Sequence, residues 1–302
     1  MKIFLTGGTG YIGSAVALRL KKAGHVVSAL ARSPEKAKAL SDAGVKVVQG
    51  ELGKPAGYAA AAYGSDAVVH TAQDHGPDSV ELDKKAVTTS RDLLRGRVGA
   101  TLIYTSGIWV LGNTEGESPA DESAPLNPAK IVAWRPAHEQ LALEAQKDGI
   151  RAAVVRPGIV YGGARGGIPA MLFGQALKTG APQIIGEGAN VWPMVHIDDL
   201  AELYVRLVER APAGSIFFAV DGAQNTQREV AEAAAKAAGK DGAVVSQPLD
   251  QARAAMGPFA DALALSQRIS GEKARTELDW RPRHESFVIE APLLFQTWRA
   301  AQ

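Results

Sequence analysis

A glycine-rich loop lies near the N-terminus of the chain. Residues 6–13 read TGGTGYIG and fall between a short apolar run and a stretch with helical spacing. Glycines allow a tight turn, let the backbone approach a pyrophosphate and permit close helix packing, and the helix N-terminus adds free N–H groups and a positive dipole. The spacing fits a dinucleotide-binding loop whose first glycine is either Gly7 or Gly8. We therefore expect a dinucleotide to contact Gly7, Thr9, Gly10, Tyr11, Ile12 and Gly13.

The end of the second apolar run indicates which dinucleotide to expect. In folds of this kind an acidic side chain about twenty residues after the loop holds the ribose hydroxyls of NAD. This chain has Ala31, Arg32 and Ser33 there instead. A guanidinium can bind a ribose phosphate through two parallel hydrogen bonds, and a serine hydroxyl adds a donor. The sequence therefore favours NADP(H) over NAD(H), with an ordinary exposed arginine as the alternative explanation for Arg32.

Short apolar runs alternate with helical stretches through the first half of the chain. The first helical stretch places Ile12, Val16 and Leu20 on one face, which would pack on a sheet. Most of the apolar runs lack a polar face, as strands covered by helices on both sides require. We predict a Rossmann-type α/β fold with a doubly wound parallel sheet. The predicted strands are 2–6, 26–31, 45–49, 67–71, 101–105 and 152–156, and the predicted helices are 11–23, 34–43, 56–62, 78–95 and 129–147.

The alternation loosens after Tyr161 into segments that carry glycine and proline. We predict an NADP(H)-binding domain over residues 1–165 and a smaller substrate-binding region over 166–302, of which about 191–230 returns to the Rossmann core. A long loop over 112–128 follows the fifth strand, and loops at that edge of a parallel sheet commonly shape an active site.

The composition restricts the class of partner. Lys and Arg total 33 against 32 for Asp and Glu, so no overall field attracts nucleic acid or an anionic membrane. The 302 residues contain no Cys, which excludes disulfides and thiolate chemistry. No apolar run has the length of a membrane span, and the first strand begins directly after Met1, which leaves no room for a signal peptide. We expect a cytoplasmic monomer or homodimer that binds a small-molecule substrate, with no nucleic-acid or membrane partner.

Six segments in order resemble the extended or atypical short-chain dehydrogenase/reductase superfamily, which includes the NAD-dependent epimerase/dehydratase and NmrA-like proteins. They are 6–13, 66–72, 104–112, 156–162, 195–200 and 273–282. The resemblance implies Arg32 at the adenosine ribose, Glu51 and Leu52 near the adenine, and a frame around the nicotinamide that includes Ser106. The remaining implied cofactor contacts are Thr71, Ala72, Gln73, Thr105, Pro157, Gly158, Ile159 and Val160.

The chain departs from the catalytic pattern of that superfamily. In that pattern a Tyr lies four residues before a Lys, and a Glu lies four residues after the Lys. Aligning on Glu139 places Ile131 and Arg135 at the Tyr and Lys positions. Aligning on an aromatic residue places Trp134 and His138 there instead. Neither alignment supplies the usual pair. Gly107 stands at the usual Ser position, with Ser106 as its neighbour.

Several side chains could still assist a hydride transfer. Ser106 could donate a hydrogen bond, and Arg135 could stabilise an oxyanion without donating a proton. His75, His138 and His196 could titrate usefully. Tyr104 shares the side of the strand that carries Ser106 and is a further candidate donor, although an aromatic side chain in a buried strand is more often core.

No metal site is expected. The segment from His196 to Asp199 contains possible ligands, but the resemblance places it at a helix start with Asp198 as a cap. We also considered four large apolar side chains as pocket walls or ordinary core, namely Trp109, Phe173, Trp192 and Met194.

The sequence thus predicts an NADP(H)-dependent oxidoreductase for a small, largely apolar carbonyl, enone or imine-type substrate. Two alternatives are a nucleotide-sugar epimerase or dehydratase and a non-catalytic NADP(H)-sensing regulatory protein. A fold of this kind hosts all three functions.

Overall fold

A computed structural model gives the fold, and it describes residues 1–114, 116 and 118–302. Seven strands form one sheet, in the order β11 (Ser215–Ala219), β6 (Arg151–Pro157), β5 (Thr101–Thr105), β4 (Ala67–His70), β1 (Lys2–Thr6), β2 (Val26–Ala31) and β3 (Lys46–Gln49). The strands β1 to β6 are parallel where they pair. The predicted Rossmann-type α/β fold is therefore confirmed.

Helices connect the strands of the first half, and their ends follow local chemistry. The first helix begins at the glycine loop and buries Val16, Ala17 and Leu20. The second begins after Ser33, whose side chain accepts a hydrogen bond from the N–H of Lys36. The helices of the first half are α1 (Tyr11–Lys22), α2 (Pro34–Asp42), α3 (Ala59–Ala62), α4 (Ser79–Leu94) and α5 (Arg135–Leu143).

The helix that we predicted over 129–147 is divided into three pieces. A short 3-10 turn covers Lys130–Val132, α5 follows, and a second 3-10 turn covers Glu144–Asp148. Pro136 lies in the first turn of α5. A proline ring cannot continue a preceding α-helix because it clashes with the carbonyl four residues earlier, so a new helix begins here.

The chain folds into two compact units. Unit 1 comprises 1–106, 134–156 and 200–217, and unit 2 comprises 107–133, 157–199 and 218–302. Residues 107–133 and 157–165, which we assigned from sequence to the dinucleotide domain, therefore cluster with unit 2. The part of the second half that joins unit 1 is 200–217, which is narrower than the predicted 191–230.

Unit 2 has its own apolar cluster and two small sheets, β10-β7-β8 and β12-β9. Phe173, Trp192 and Met194 are almost fully buried in this cluster, and Trp109 packs against it. Phe173, Trp192 and Met194 are therefore core residues of unit 2, whereas Trp109 is only partly buried. The remaining elements are β7 (Ile159–Gly162), β8 (Gly166–Gly167), α6 (Ala170–Thr179), β9 (Gln183–Ile185), β10 (Met194–His196), α7 (Ile197–Arg210), α8 (Gln227–Ala237), β12 (Val245–Gln247), α9 (Leu249–Met256), α10 (Phe259–Leu263), α11 (Glu272–Leu278) and α12 (Phe287–Arg299). No helix of the described chain is long and apolar enough to cross a membrane.

Candidate functional site

The glycine loop is shaped by three close backbone approaches. Gly7 has a φ of +78°, and a Cβ there would lie 2.6 Å from the backbone nitrogen of Ala72. A Cβ on Gly13 would lie 2.1 Å from the carbonyl oxygen of Gly7, which also accepts the N–H of Gly10 at 2.8 Å. Gly7, Gly10 and Gly13 therefore turn the loop, whereas Gly8 is buried against the side chain of Ala29.

Gly10 differs from the other loop glycines because its outer side is open. It is exposed, and a Cβ there would meet only the carbonyl oxygen of Gly7, at 3.0 Å. Its φ of −75° and ψ of 174° are extended values that most residues adopt. The open space above Gly10, at the N-terminus of α1, is where a pyrophosphate would fit this loop.

The residues after β4 lie directly beside the glycine loop. Thr71 donates its hydroxyl to the carbonyl of Thr6 at 2.7 Å, and the backbone of Ala72 faces Gly7. Gln73 follows, and its side-chain oxygen accepts a hydrogen bond from Arg135 at 3.0 Å. The fold thus brings 71–73, the loop and the start of α5 to one edge of the sheet.

Arg32 and Ser33 occupy the predicted phosphate-binding position at the end of β2. The Arg32 side chain is 78% exposed, and its guanidinium lies 3.7 Å from a carboxylate oxygen of Asp74. The Ser33 hydroxyl donates to Glu35, which lowers the pKa of that carboxyl, and caps α2. A phosphate at Arg32 would cost little desolvation but would compete with Asp74, while the Ser33 hydroxyl already has partners.

Glu51 and Leu52 have local partners. Glu51 forms a surface ion pair with Lys54 at 2.9 Å. The Leu52 carbonyl accepts the Tyr58 hydroxyl at 3.3 Å, and the Leu52 side chain packs on the core of unit 1. Their contact with an adenine stays a prediction.

Arg135 is buried at the edge of the sheet, where it contacts the end of β5. Its Nη1 donates to the carbonyl of Thr105 at 2.9 Å and approaches the Tyr104 hydroxyl at 3.4 Å. One turn later Glu139 forms a buried ion pair with Arg156, with Nε and Oε1 3.0 Å apart. Of the two sequence alignments, the one on Glu139 places Arg135 at the Lys position, and Arg135 is the side chain that contacts Gln73 beside the glycine loop.

Ser106 follows β5 and has an unusual hydroxyl. Its backbone N–H donates to the carbonyl of Val155 at 2.8 Å, but its Oγ is buried and has no hydrogen-bond partner among the residues that the structure describes. The preceding Thr105 differs, because its hydroxyl is paired with that of Tyr204 at 2.5 Å. An unpaired buried hydroxyl costs about 1–3 kcal/mol, which a bound ligand could offset.

His138 and His75 have different environments. The Nδ1 of His138 lies 2.6 Å from a carboxylate oxygen of Asp83, and its ring packs on Trp134 with centroids 4.9 Å apart. His75 is exposed on the loop after β4, and among the described residues it has no hydrogen bond or ion pair. Tyr104 is fully buried and donates its hydroxyl to Asp83 at 2.9 Å, so the possibility that it donates to a substrate is not supported by its geometry.

The sequence reasoning missed Asp83. Its carboxylate is buried and also lies 3.1 Å from the Nε2 of His70. Burial opposes its ionisation, but hydrogen bonds from His138 and His70 and the charge of Arg135 hold the pKa of Asp83 well below its usual value. The available signal was an acidic residue on the apolar stripe of α4, which otherwise buries Ala86, Val87, Ser90 and Leu94.

The implied nicotinamide frame in unit 2 is a tight turn between strands. The N–H of Gly158 donates to the carbonyl of Ala219 at 2.9 Å, and a Cβ on Gly158 would lie 2.5 Å from the carbonyl oxygen of Pro193. The N–H of Ile159 donates to that same proline carbonyl at 2.8 Å, and Ile159 and Val160 continue into β7. Contacts of Pro157 to Val160 with a cofactor stay predictions.

A second polar cluster in unit 2 contains His196, His284 and Glu290, whose possible ligand atoms lie within 4.8 Å of one another. The two imidazole rings are stacked with centroids 3.4 Å apart and planes 20° apart, so their lone pairs do not converge on a common point. Burial and the neighbouring His284 lower the pKa of His196 to about 4. Asp198, predicted as a helix cap, lies inside α7 instead. The carboxylate of its neighbour Asp199 accepts the backbone N–H groups of residues 283 and 284, both at 3.0 Å.

Comparisons with known proteins place this geometry in context. Residues 3–218 match the model of a family described as the NAD dependent epimerase/dehydratase family. The chain is 30% identical over 295 residues to uncharacterized protein C2A9.02 of Schizosaccharomyces pombe, covering 96% of this chain and 98% of the relative. It is 28% identical to a 2-alkyl-3-oxoalkanoate reductase of Stenotrophomonas maltophilia, covering 76% and 73%. The structure of a Thermus thermophilus UDP-glucose 4-epimerase in complex with NAD matches with a TM-score of 0.80 and 24% identity, covering 100% of both chains.

Proposed function

The chain belongs to the NAD-dependent epimerase/dehydratase family, and from that premise we propose that it is an NADP(H)-dependent oxidoreductase. Its proposed substrate is a small, largely apolar carbonyl, enone or imine-type compound. The observation that carries the proposal is the buried, unpartnered hydroxyl of Ser106 next to the residue whose carbonyl holds Arg135. The similarity to a bacterial reductase of an oxo acid supports a reductase rather than another chemistry of the family.

The residues present fit a nicotinamide dinucleotide. The glycine loop leaves open space above Gly10, and the Ser106 hydroxyl lacks a partner. In the proposal the loop holds the pyrophosphate, Arg32 holds the ribose phosphate, and 71–73 lie along the middle of the cofactor. When bound, the cofactor supplies or accepts a hydride at C4 of its nicotinamide.

Ser106 and Arg135 have distinct roles in the proposal. Ser106 donates a hydrogen bond to the atom on which negative charge develops as the substrate is reduced. Arg135 stabilises that charge electrostatically and binds a ribose hydroxyl, but it keeps its proton at neutral pH. Because Arg135 forms no ion pair with any carboxylate of the described residues, its charge remains available to the ligands.

His138 is the next candidate for a donor. The ionised Asp83 can only accept hydrogen bonds, so the Nδ1 of His138 carries the proton. Among the described residues its Nε2 has no hydrogen-bond partner, and it can donate to a substrate only when it also carries a proton. His75 is the third candidate because it lies on the loop that follows 71–73.

Turnover of NADPH tests the proposal directly. Oxidation of NADPH is followed at steady state with a panel of aldehydes, ketones, enones and imines, and we expect turnover with one of these classes. Ser106→Ala should then lower turnover roughly ten- to a thousand-fold and leave NADPH affinity nearly unchanged. Ser90→Ala is the matched control, because Ser90 is another buried serine of unit 1 whose hydroxyl donates to the carbonyl of Ala86.

Two outcomes would contradict parts of the proposal. Turnover that survives in Ser106→Ala would show that the donor is wrongly placed, and alanine variants of His138 and His75 would identify the donor. NADPH binding without turnover of any substrate class would overturn the oxidoreductase proposal and favour a cofactor-sensing protein. Arg135→Ala should weaken both binding and turnover.

A further inference from the structure

Asp83 receives three hydrogen bonds from three different elements of unit 1. Its oxygens lie 3.1 Å from the Nε2 of His70 on β4, 2.9 Å from the hydroxyl of Tyr104 on β5 and 2.6 Å from the Nδ1 of His138 on α5. All four residues are at most 6% exposed. A buried carboxylate with this many donors is held in one place, and it orders its donors in turn.

The direction of each hydrogen bond follows from the charge of Asp83. Because the carboxylate is ionised and can only accept, both imidazoles and the phenol donate to it. The Nδ1 of His70 lies 2.7 Å from the hydroxyl of Thr6, with which it shares a hydrogen bond. Thr6 is the first residue of the glycine loop, so the network begins at the proposed cofactor site.

The other end of the network is Arg135. The Tyr104 hydroxyl donates to Asp83, which leaves its oxygen to accept the N–H of Arg135 Nη1 at 3.4 Å. Asp83 is ionised in part because the charge of Arg135 lies near it. A buried guanidinium without a direct ion pair needs such a counter-charge, since an isolated buried charge is costly.

We infer that Asp83 is a positioning residue for Arg135, fixing the orientation of Tyr104 and through it the guanidinium at the edge of the glycine loop. The role of Arg135 toward cofactor and substrate rests on the proposed function. The ordering of Arg135 by Asp83 does not, because every contact in the network is made by the protein alone. Two experiments separate these statements.

The first experiment is a double-mutant cycle on the affinity for NADPH, measured by fluorescence titration. If Asp83 acts through Arg135, Asp83→Asn should weaken binding about fivefold, Arg135→Ala about tenfold, and the double variant no more than about twofold beyond Arg135→Ala. If the two single effects are independent, the double variant should lose about fiftyfold in affinity. That result would mean that Asp83 does not act through Arg135 and would overturn the inference. Asp66→Asn is the control, because Asp66 is a surface acid of unit 1 paired with Arg97, and its effect should be negligible.

The second experiment needs neither cofactor nor turnover, and it uses the milder variant Tyr104→Phe. In the wild-type protein the Nη1 group of Arg135 should give a resolved ¹H–¹⁵N signal with slow rotation about Cζ–Nη1, assigned by its loss in Arg135→Lys. Removing one of its two acceptors should speed that rotation about fivefold. An unchanged rotation rate would overturn the inference even if the protein reduces substrates. If NADPH does not bind but the rotation speeds up in Asp83→Asn as well as in Tyr104→Phe, the positioning role of Asp83 stands and the proposed function fails.

Turnover gives an additional readout once a substrate is known. A misplaced Arg135 should lower kcat in Tyr104→Phe while KM for the substrate changes little, because the substrate gains its contact with the guanidinium as charge develops. A change confined to thermal stability, with kcat and KM both unchanged, would indicate a purely structural role and contradict the inference.

Discussion

Substitution of Arg32 tests the choice of cofactor, and the structure sets the size of the expected effect. A hydrogen bond to a charged group contributes about 1.5–3 kcal/mol, and each 1.4 kcal/mol is about tenfold in affinity. The Arg32 side chain is 78% exposed, so solvent screens its interaction with a phosphate, and Asp74 at 3.7 Å competes for it. Both factors place the effect at the low end. Arg32→Ala should weaken NADPH binding about tenfold and leave NADH binding unchanged.

The assay is a pair of fluorescence titrations, with NADPH and with NADH, at low and at high salt. The wild-type preference for NADPH should shrink as salt rises, because the contact is exposed. Asp74→Asn should change affinity in the opposite direction and raise it about twofold for NADPH, since it removes a carboxylate beside the phosphate. Lys38→Ala is the control, because Lys38 is a surface cation of the same unit that pairs with Asp42.

Equal affinities for the two cofactors in the wild-type protein would refute the assignment of NADP(H). An NADPH-to-NADH ratio that is unchanged in Arg32→Ala would refute the role of this side chain even if the protein prefers NADPH. After either result, other cationic side chains near the glycine loop would have to be tested for the role proposed for Arg32.

Three further predictions concern binding and stability. Gly10→Val should abolish cofactor binding in a folded protein. The extended backbone of Gly10 accepts a side chain, and that side chain would fill the space proposed for the pyrophosphate. Cofactor binding by this variant in an isothermal titration would refute the assignment of the loop. Burial and the nearby Asp199 raise the pKa of Asp221 to about 7, so its contribution to stability is full below about pH 4 and is lost as pH rises through 7. Asp221→Asn should therefore reduce the change of the unfolding free energy with pH between about pH 4 and 7. The reduction should be at most about 1.4 kcal/mol for each unit by which the pKa of Asp221 is raised, and urea unfolding at several pH values measures the unfolding free energy. Glu139→Gln removes the carboxylate charge that pairs with the buried Arg156 and should destabilise the protein by about 3–5 kcal/mol in the same assay. A loss below about 1 kcal/mol would contradict a stabilising role of this ion pair.

The regular part of the fold could be predicted because its signals are local. The runs that form β1, β2 and β5 are apolar and end at glycine or polar residues, and their observed bounds are the predicted ones. Local signals were insufficient near Pro136, where a continuous helix was predicted and three shorter pieces form. They were also insufficient for Trp192 and Phe173, since no local pattern distinguishes a pocket wall from a core residue.

The site was predictable only where a single segment carries its chemistry. The glycine loop was predicted from neighbouring residues alone, whereas Ser106 became a candidate because it lies next to the usual serine position of the family that the sequence resembles. The network around Asp83 joins residues far apart in the chain, such as Thr6, His70 and His138, and no single segment shows more than one of them. The one local signal was Asp83 on the buried face of a helix. A buried acid indicates that a polar or charged partner lies nearby, but it does not show which residue that partner is.

In the proposed function, Arg32 and Arg135 would present a cation to an anionic ligand in two different ways. Arg32 is solvated and weakly paired, so binding a phosphate there costs little desolvation but also yields little free energy, which suits discrimination between two cofactors. Arg135 is buried, and its desolvation is offset within the protein by the Thr105 carbonyl, the Gln73 side chain and the charge of Asp83. A guanidinium whose orientation is fixed before any ligand arrives needs no reorganisation when charge develops in a substrate. For that reason a chain that lacks the usual Tyr–Lys pair can still stabilise a developing anion, provided that a donor such as Ser106 lies beside the arginine.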